Sequence, residues 1–280
     1  MTRRVSFLSD IWSYSFLIVL GILVALPLLL IVSQSLMTND VLYHWPPQIV
    51  TFSPVFDSYH ALFTQPDLRL PRWLFNSLFT ASSYTLVVVC LCAPAAYAFA
   101  RLRFPGQNFL FFLLLVTVMI PSQVTLIPNF LLMRDLHFLN TFNSLIWPGA
   151  ANVFAVFLLR QFFMGIPHEL EEAAILDGAS YWGRFWRIIL PLSSNALTAL
   201  TIFVFLGHYN DLLWPLLTNN NLDTRTLPVG LTILNSSYGG SNRPVVLAGA
   251  LFATLPILVV YIIFQRRIIK GVALTGMGGR

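Results

Sequence analysis

Six stretches of at least 22 residues contain no Asp, Glu, Lys or Arg, and no other feature of the sequence constrains the fold as much. An α-helix rises about 1.5 Å per residue, so roughly 20 uncharged residues are enough to cross the hydrocarbon of a membrane, which is about 30 Å thick. Each stretch has a strongly apolar centre. The sequence therefore predicts an all-α integral membrane protein with six transmembrane helices. The stretches are 11–39, 73–100, 104–133, 136–159, 188–210 and 244–265.

The composition excludes the other broad classes of protein. Only 10% of the 280 residues are charged, against about 25% in soluble proteins, and the mean hydropathy is +0.75. A soluble domain needs more charge at its surface, and a disordered chain needs fewer apolar residues. The first stretch has the position of a signal peptide, but its apolar run, 16–32, is longer than a signal core, so we expect a retained helix.

We expect the whole chain, 1–280, to form a single transmembrane domain with two long loops on one side and one polar loop and the tail on the other. The segment 226–242 carries no charge but is rich in Gly, Ser and Asn, so it is assigned to a loop. The predicted spans are 11–35, 73–100, 107–128, 141–162, 190–213 and 244–265. The predicted connecting segments are 36–72, 166–187, 215–242 and 266–280.

The distribution of Lys and Arg predicts the orientation of the spans. Loops on the cytoplasmic side of membrane proteins carry an excess of these residues. With both termini in the cytoplasm, eleven of the sixteen cations lie inside and five outside. The inside cations are Arg3, Arg4, Arg101, Arg103, Arg160, Arg184, Arg187, Arg266, Arg267, Lys270 and Arg280, and the outside ones are Arg69, Arg72, Arg134, Arg225 and Arg243. The net charge of +5 is thus explained by membrane topology, and no basic run supports nucleic-acid binding.

The loop 36–72 is long for a plain connection and contains many aromatic residues. Two explanations fit these residues equally: anchoring at the membrane surface, where Trp and Tyr are enriched, or a ledge on which an external partner docks. The aromatic and imidazole side chains of this loop include Tyr43, His44, Trp45, Phe52, Phe56, Tyr59 and His60.

One short segment holds four of the eleven acids, at 169, 171, 172 and 177. A short helix is predicted there, with Pro167 at its first position, acids near its positive end, and a stop at Gly178. Ser180 is placed to cap a following helix. Leu170, Ala173, Ala174 and Asp177 share one face by their three- and four-residue spacing. An amphipathic hairpin on the membrane surface would carry basic residues instead, so this segment fits better as a knob for a soluble partner.

Polar residues within the spans are candidates for a solute path, because such residues are costly in a membrane and often functional. Helix–helix hydrogen bonding is the competing explanation for each of them. The residues predicted for the path are Asn76, Asn152, His208, Tyr209, Asn210 and Asp211. Further candidates are Ser82, Ser83, Tyr84, Gln123, Asn129 and Asn195. The prolines in the spans are kink candidates: Pro27, Pro94, Pro121, Pro128, Pro148 and Pro256.

Glu172-Ala173-Ala174, followed after three residues by Gly178 and after nine more by Ile188-x-Leu190-Pro191, resembles the EAA loop of ABC importer permeases. The form of 166–180 is similar to that of carbohydrate-uptake permeases, the branch of the maltose-permease G-subunit and the glycerol-3-phosphate-permease E-subunit. Tyr209 and the tail 271–280 depart from the usual pattern of that branch. The other matching motifs are Asn76-Ser77, Arg103-Phe-Pro-Gly106, Met119-Ile-Pro121, Ile127-Pro128, Asn210-Asp-Leu-Leu-Trp214-Pro215, Thr226-Leu-Pro-Val-Gly230 and Gln265-Arg266-Arg267.

This resemblance implies a type I ABC importer permease fold in a bacterial cytoplasmic membrane, importing a sugar, a polyol or glycerol phosphate. It implies four kinds of partner: a second permease subunit, two ATP-binding subunits, an external substrate-binding protein and membrane lipid. It also implies that 166–187 is the coupling helix that enters an ATPase cleft, with Glu172 as its anchor and Ala173 and Ala174 allowing close packing. The implied coupling residues are Glu169, Glu172, Ala173, Ala174, Asp177, Gly178, Leu190 and Pro191.

No G-x-x-x-x-G-K-[ST] motif occurs in the chain. We therefore expect a non-catalytic subunit that binds no cofactor and no metal, with ATP and magnesium on the partner subunits. Two rivals remain open. A secondary transporter driven by an ion gradient would place carboxylates within its spans, whereas every acid here lies outside the apolar centres. A membrane scaffold without transport activity is the other rival.

Overall fold

The computed structural model describes residues 7–46, 48–65 and 68–276, and within them the side chains of residues 12–265. All regular structure in these residues is helical, which confirms the predicted all-α class. The predictions for Arg3, Arg4 and Arg280 lie outside the described residues, and those for the side chains of Arg266, Arg267 and Lys270 lie outside the described side chains.

The first eight helices run from the N-terminal side to the middle of the chain. They are α1 (Phe7–Ser35), α2 (Asn39–Leu42), α3 (Asp57–Thr64), α4 (Leu70–Arg101), α5 (Gln107–Val118), α6 (Ser122–Asp135), α7 (Asn143–Ile146) and α8 (Val153–Met164). The remaining α-helices are α9 (Glu169–Leu176), α10 (Tyr181–Arg184), α11 (Leu190–Leu192), α12 (Ser194–Tyr209), α13 (Leu213–Thr218), α14 (Leu227–Tyr238) and α15 (Arg243–Gly276). One π-helix, Phe185–Ile189, lies between α10 and α11; its turn is wider than that of an α-helix, and such turns are often found at functional positions.

Three helices are each long and apolar enough to cross a membrane: Trp12–Ser35 within α1, all of α4, and Arg243–Gln265 within α15. Three further candidates are pairs of helices with a sharp bend between them, so the number of spans reaches six when each pair is one span. The bends measure 95° between α5 and α6, 78° between α8 and α9, and 78° between α11 and α12.

The chain over the predicted spans 107–128, 141–162 and 190–213 is thus broken into shorter helices and is not continuous in any of the three. Pro121, which has no N–H to donate, separates α5 from α6. Pro148 and Gly149, whose φ is +74°, lie between α7 and α8, and Ser193 marks the bend before α12. By contrast, Pro27, Pro94, Pro128 and Pro256 all lie inside continuous helices.

The described chain divides into two compact units. The first comprises the described residues up to Pro71 together with Gly230–Leu255, and the second comprises Arg72–Val229 with the described residues from Pro256 onward. In the first unit Tyr238 donates its hydroxyl proton to Gln65 Oε1 at 2.6 Å. A Cβ on Gly249 would lie 2.8 Å from a methyl group of Leu234, so only glycine allows α14 and α15 to approach so closely.

The segment 226–242 was expected to be a loop, and this prediction is wrong for most of its length. Residues 227–238 form α14, in which Leu227 and Leu234, seven residues apart, are buried on the same side of the helix, and Val229 is buried as well. The loop predicted at 36–72 likewise contains α2, α3 and the start of α4. Gly, Ser and Asn in these segments lower helix propensity, but tertiary packing overrides it.

The core of the second unit is formed by α4, α8, the π-helix and α12. Buried side chains from all four meet there, including Val88, Leu159, Phe185 and Leu200. Two polar groups lie at opposite ends of this core. One end of α4, at Arg101, contacts the segment after α8, and Asn76 near the other end contacts the segment before α14. The α4 helix therefore connects the segment after α8 at one end and the segment before α14 at the other.

Candidate functional site

A cavity of about 630 Å³ lies within the second unit and has a mixed polar and aromatic lining. We call it the polar cavity. It carries hydroxyl, amide and imidazole groups together with four rings of Tyr, Phe and Trp, and it has one carboxylate and no Arg or Lys in its lining. Its lining residues are Tyr84, Ser122, Gln123, Thr125, Leu126, Asn129, Leu145, Pro148, Gly149, Asn152, Phe154, Phe203, Val204, Gly207, His208, Asp211, Leu213 and Trp214.

His208 and Tyr84 form one wall of the polar cavity. Their rings are 4.5 Å apart between centroids. His208 Nε2 lies 2.8 Å from the carbonyl oxygen of Leu145, and since a carbonyl only accepts, Nε2 carries a proton. Tyr84 donates to the carbonyl oxygen of Gly149 at 3.0 Å. Both side chains are thus tied to the link between α7 and α8, which explains a packed position for His208 without any proton relay.

Asn152 and Asp211 lie in the lining and also contact the starts of neighbouring helices. Asn152 caps α8, and its Oδ1 accepts from Ala155 N at 2.9 Å. Asp211 Oδ1 lies 3.5 Å from Trp214 N near the start of α13. Both residues therefore support local helix geometry as well as lining the cavity.

Hydrogen bonds of Asn219 and Trp214 connect the segment around α7 to α13, and both segments border the cavity. Asn219, fully buried, accepts from Ser144 Oγ at 2.6 Å and donates to the carbonyl oxygen of Thr141 at 3.0 Å. Trp214 Nε1 donates to the carbonyl oxygen of Ser144 at 2.7 Å. The link around α7 is therefore fixed to α13, and Leu145 O is held where His208 meets it.

Three of the six predicted path residues, Asn152, His208 and Asp211, lie together in the cavity lining. The other three are placed elsewhere. Tyr209 is buried and stacks on Phe205 with centroids 5.9 Å apart, and Asn210 is exposed and donates to the carbonyl oxygen of Leu206. Gln123 and Asn129, which the sequence left as minor candidates, do line the cavity.

Asn76 is fully buried away from the cavity and acts as a clamp. Its Nδ2 donates to the carbonyl oxygens of Asp223 and Arg225, at 2.9 and 2.8 Å. The next residue, Ser77, accepts from Leu227 N at 2.8 Å. Together they fasten the segment before α14 to α4.

We expect Asn76→Asp to destabilise the protein more than Asn76→Ala. The alanine variant loses two hydrogen bonds worth about 0.5–1.5 kcal/mol each. The aspartate variant has no donor and places a carboxylate against two carbonyl oxygens, so its free energy of unfolding falls further. Thermal melting of the purified protein in detergent measures both. Equal melting temperatures of the two variants would contradict the clamp.

The predicted acidic segment, 166–187, forms two short helices joined by a tight turn, and we call it the acidic hairpin. Gly178 has φ of +79° and ends α9. The N–H of Gly178 donates to the carbonyl oxygen of Ile175, and the N–H of Ala179 donates to that of Ala174. This pair of hydrogen bonds defines a Schellman motif. Ser180 Oγ accepts from Gly183 N at 3.2 Å at the start of α10. The predictions for Gly178 and Ser180 are confirmed, whereas Pro167 lies two residues before the helix and is not its first residue.

The face of α9 predicted to meet a soluble partner is largely exposed, and a different side of the helix packs on the rest of the chain. Leu170, Ala173 and Asp177 are exposed and Ala174 is half-buried. Glu171 is buried at 5% exposure, while Glu169 and Glu172 are exposed. Leu176 is 89% exposed. The free face of α9 thus combines acids, a small residue and apolar side chains. Leu190 and Pro191, which were predicted to share the coupling role, lie beyond the π-helix and not on this face.

Glu171 is held between two buried arginines. Arg101 Nε lies 3.2 Å from Glu171 Oε1, and Arg184 Nη1 lies 3.5 Å from Glu171 Oε2. Tyr97 donates its hydroxyl proton to Glu171 Oε2 at 3.2 Å. We call these four side chains the arginine–glutamate cluster.

Arg101 also binds the end of α8. Its Nη2 donates to the carbonyl oxygens of Phe163 and Ile166. Carbonyls at the end of a helix have no partner within the helix, and a cation there also meets the negative end of the helix dipole. Arg101 Nη1 lies 2.8 Å from His168 Nδ1, and because arginine only donates, this nitrogen of His168 is the acceptor.

The sequence reasoning missed the arginine–glutamate cluster. Arg101 and Arg184 were counted only as cations of the inner face, and Glu171 only as one acid among four. The available signal was their position: Arg101 ends one helix, and Arg184 lies within the acidic hairpin at the end of another. No group of three or more His, Cys, Asp or Glu side chains that could hold a metal ion occurs in the described part of the chain.

Relatives among known proteins match the chain over most of its length. The arabinooligosaccharides transport system permease protein AraQ of Halalkalibacterium halodurans is 35% identical over 88% of this chain and 86% of its own. The diacetylchitobiose uptake system permease protein NgcG of Streptomyces coelicolor is 31% identical over 93% and 86%. The sn-glycerol-3-phosphate transport system permease protein UgpE of Yersinia enterocolitica is 30% identical over 94% and 95%.

A solved structure shares the fold. A chain in the crystal structure of a bacterial ABC transporter involved in the import of the acidic polysaccharide alginate matches with a TM-score of 0.82 and 22% identity, over 95% of this chain and 98% of that one. The description of the family whose model matches residues 92–273 is binding-protein-dependent transport system inner membrane component. The matched range contains the acidic hairpin and most of the polar cavity. The chain is therefore a permease that belongs to the family of binding-protein-dependent transport system inner membrane components.

Proposed function

We propose that this chain is the permease subunit of an ATP-driven importer for a neutral sugar or oligosaccharide, coupled to ATPase subunits through the acidic hairpin. The hairpin itself is the observation that carries the proposal. It is a rigid, capped turn that presents acids and an exposed Leu176 on a free face, while Glu171 fixes its other face to the core. A surface built in this way suits a soluble partner and not the membrane.

The proposed coupling residues have distinct roles. Glu172 supplies a charge for a cation of the ATPase cleft, with Glu169 and Asp177 beside it on the exposed side. Ala173 and Ala174 let the partner approach the helix backbone. Gly178 makes the turn, and nothing within 4 Å of a Cβ built on it would hinder a partner. Leu190 and Pro191 continue the chain into the fifth span.

The assembly proposed for this chain contains a second permease subunit, two ATP-binding subunits that hold ATP and magnesium, an external binding protein and the surrounding lipid. The chain binds no cofactor itself. Both termini and the acidic hairpin lie in the cytoplasm, and the loops 36–72 and 215–242 face outward, where the binding protein docks. Relatives named for permease roles in arabinooligosaccharide and diacetylchitobiose transport support a sugar.

The polar cavity is the proposed solute path within this subunit. Sugar rings combine hydroxyl groups with apolar C–H faces, and the cavity matches both with amides from Gln123, Asn129 and Asn152 and with the rings of Phe203 and Trp214. Because its lining holds Asp211 and no Arg or Lys, it disfavours anionic solutes. A polyol remains compatible with this lining, whereas glycerol phosphate does not.

We expect neutral oligosaccharides to compete for uptake and their phosphorylated forms to compete at least about tenfold more weakly, which corresponds to about 1.4 kcal/mol. The reason is the carboxylate of Asp211 in a cavity lining without cations. Competition against a radiolabelled neutral sugar in proteoliposomes with the binding protein present measures this, and the affinity of the isolated binding protein for both forms is measured separately so that its own selectivity is accounted for. Equal competition by both forms would contradict a cavity selective for neutral solutes.

Co-expression with neighbouring genes tests the assembly. A P-loop ATPase and a second permease should co-purify with the chain in detergent, and the complex should hydrolyse ATP faster when the loaded binding protein is added. The rival of a secondary transporter predicts no ATPase partner and uptake that follows an ion gradient. Purification of an active transporter without any ATPase would overturn the proposal.

A further inference from the structure

Two adjacent acids of the acidic hairpin, Glu171 and Glu172, lie on different sides of α9. Glu172 is exposed, whereas Glu171 is buried and contacts Arg101, Arg184 and Tyr97. The arginine side chains are 1% and 10% exposed. The acid that ties α9 to its own chain is therefore not the acid that is free to meet a partner.

The contacts of Glu171 lead to two other helices of the second unit, α4 and α10. Arg101 and Tyr97 belong to the last two turns of α4, and Arg101 also binds carbonyls at and just beyond the end of α8. Arg184 is the last residue of α10 and directly precedes the π-helix. Any displacement of α9 must therefore either carry the ends of these helices along or break a buried ion pair.

The balance of charges makes it costly to break the ion pairs of Glu171. Two guanidinium groups surround one carboxylate, so removal of Glu171 leaves two buried cations without a counter-charge. Removal of Arg184 leaves one cation and one anion, and Arg101 keeps its bonds to Phe163 and Ile166. A variant at Arg184 can thus cut one connection while the rest of the cluster stays neutral and paired.

We infer that Glu171 is a positioning residue that locks α9 to the ends of α4 and α10, so that movement imposed on α9 reaches the second and fifth spans at the same time. The ion pair with Arg101 connects Glu171 to α4, and the ion pair with Arg184 connects it to the residue before the π-helix. The widened turn at 185–189 and the 78° bend before α12 follow Arg184 in the chain. A rigid lock beside a bent helix converts a push on the hairpin into a rotation of the next span.

This inference rests on the proposed coupling to ATPase subunits. The test therefore compares Arg184→Gln, Arg184→Lys and the control Asp135→Asn in the purified full complex, reconstituted with ATP and the loaded binding protein. Asp135 is an exposed acid paired with Arg134, outside the acidic hairpin and the polar cavity. Three quantities are measured: the yield of co-purified ATPase, the rate of ATP hydrolysis and the solute moved per ATP hydrolysed.

The lock predicts that Arg184→Gln assembles and hydrolyses ATP normally but moves at least about fivefold less solute per ATP. Arg184→Lys restores most of the ratio because it keeps a cation near Glu171, and Asp135→Asn leaves it unchanged. A normal ratio for Arg184→Gln overturns the inference. So does a purely structural defect, in which yield and melting temperature fall while the ratio stays normal.

Glu171→Gln and Glu171→Asp supply an independent check. The glutamine variant should lose coupling, and the aspartate variant should keep at least part of it because it retains the negative charge between Arg101 and Arg184. Equal coupling in the two variants, when both insert normally, counts against the lock. If the wild-type chain binds no ATPase at all, the proposed function fails instead, and that result is visible before any variant is compared.

Discussion

Gly207→Phe should reduce solute uptake by at least about tenfold while the protein still assembles with its partners. Gly207 lies on α12 and lines the polar cavity, and no heavy atom outside its own helix backbone lies within 4 Å of a Cβ built there. The new ring therefore enters open space at the cavity wall without disturbing the core. Crowding a binding cavity costs a solute about 1–3 kcal/mol, and about 1.4 kcal/mol is a factor of ten.

The matched control is Gly21→Phe. Gly21 lies on α1, again with nothing within 4 Å of a built Cβ, and outside the cavity. Both variants exchange a helical glycine for the same ring, so they have the same effect on helix propensity. Initial rates of radiolabelled sugar uptake in proteoliposomes measure the difference. If both variants transport at the wild-type rate, the polar cavity is not the solute path of this subunit.

Glu172→Lys should abolish uptake although the chain inserts and folds. Glu172 is exposed on α9 and takes no part in the arginine–glutamate cluster, so the charge reversal leaves the core intact. In the proposed complex it meets a cation of the ATPase. Truncating one partner of a buried charge pair costs about 2–5 kcal/mol, and about 2 kcal/mol lowers an association constant roughly 30-fold. Co-purification of the ATPase measures this loss.

Gly178→Asp is expected to fail in the same assay for a different reason. Asp tolerates a positive φ better than most residues, and the side chain meets nothing within 4 Å in its own chain. The loss of uptake then arises from the partner's surface and not from a misfolded turn. Asp135→Lys, a charge reversal at an exposed acid elsewhere, is the control. Normal ATPase association and transport by both hairpin variants would contradict the coupling role.

The sequence was sufficient for the helical class and for the local chemistry of the acidic hairpin. Gly178 and Ser180 act through bonds to residues at most five positions away, and such short-range chemistry is readable from a pattern. The sequence marked Pro121 and Pro148 as possible kinks but did not predict that the helices break there. Proline marks a possible kink, but whether a helix continues through it, as α6 does at Pro128, depends on what packs around it.

The arginine–glutamate cluster could not be predicted because its members are distant in the chain. Tyr97 and Glu171 are 74 residues apart, and only the packing of α4 against α8 brings them together. Among three acids within four positions, the sequence does not say which one faces inward. The same holds for the polar cavity, where Asn152 and His208 meet while Tyr209, the next residue, turns into the core.

The central claim, that this chain is an ATP-coupled permease, is tested most directly in proteoliposomes containing the complete complex, with the loaded binding protein outside. Uptake is measured with ATP inside and all ion gradients collapsed by ionophores, and again with the gradients intact and no ATP. We predict uptake at the full rate in the first condition and none in the second. Uptake that requires a gradient and proceeds without ATP would contradict the claim.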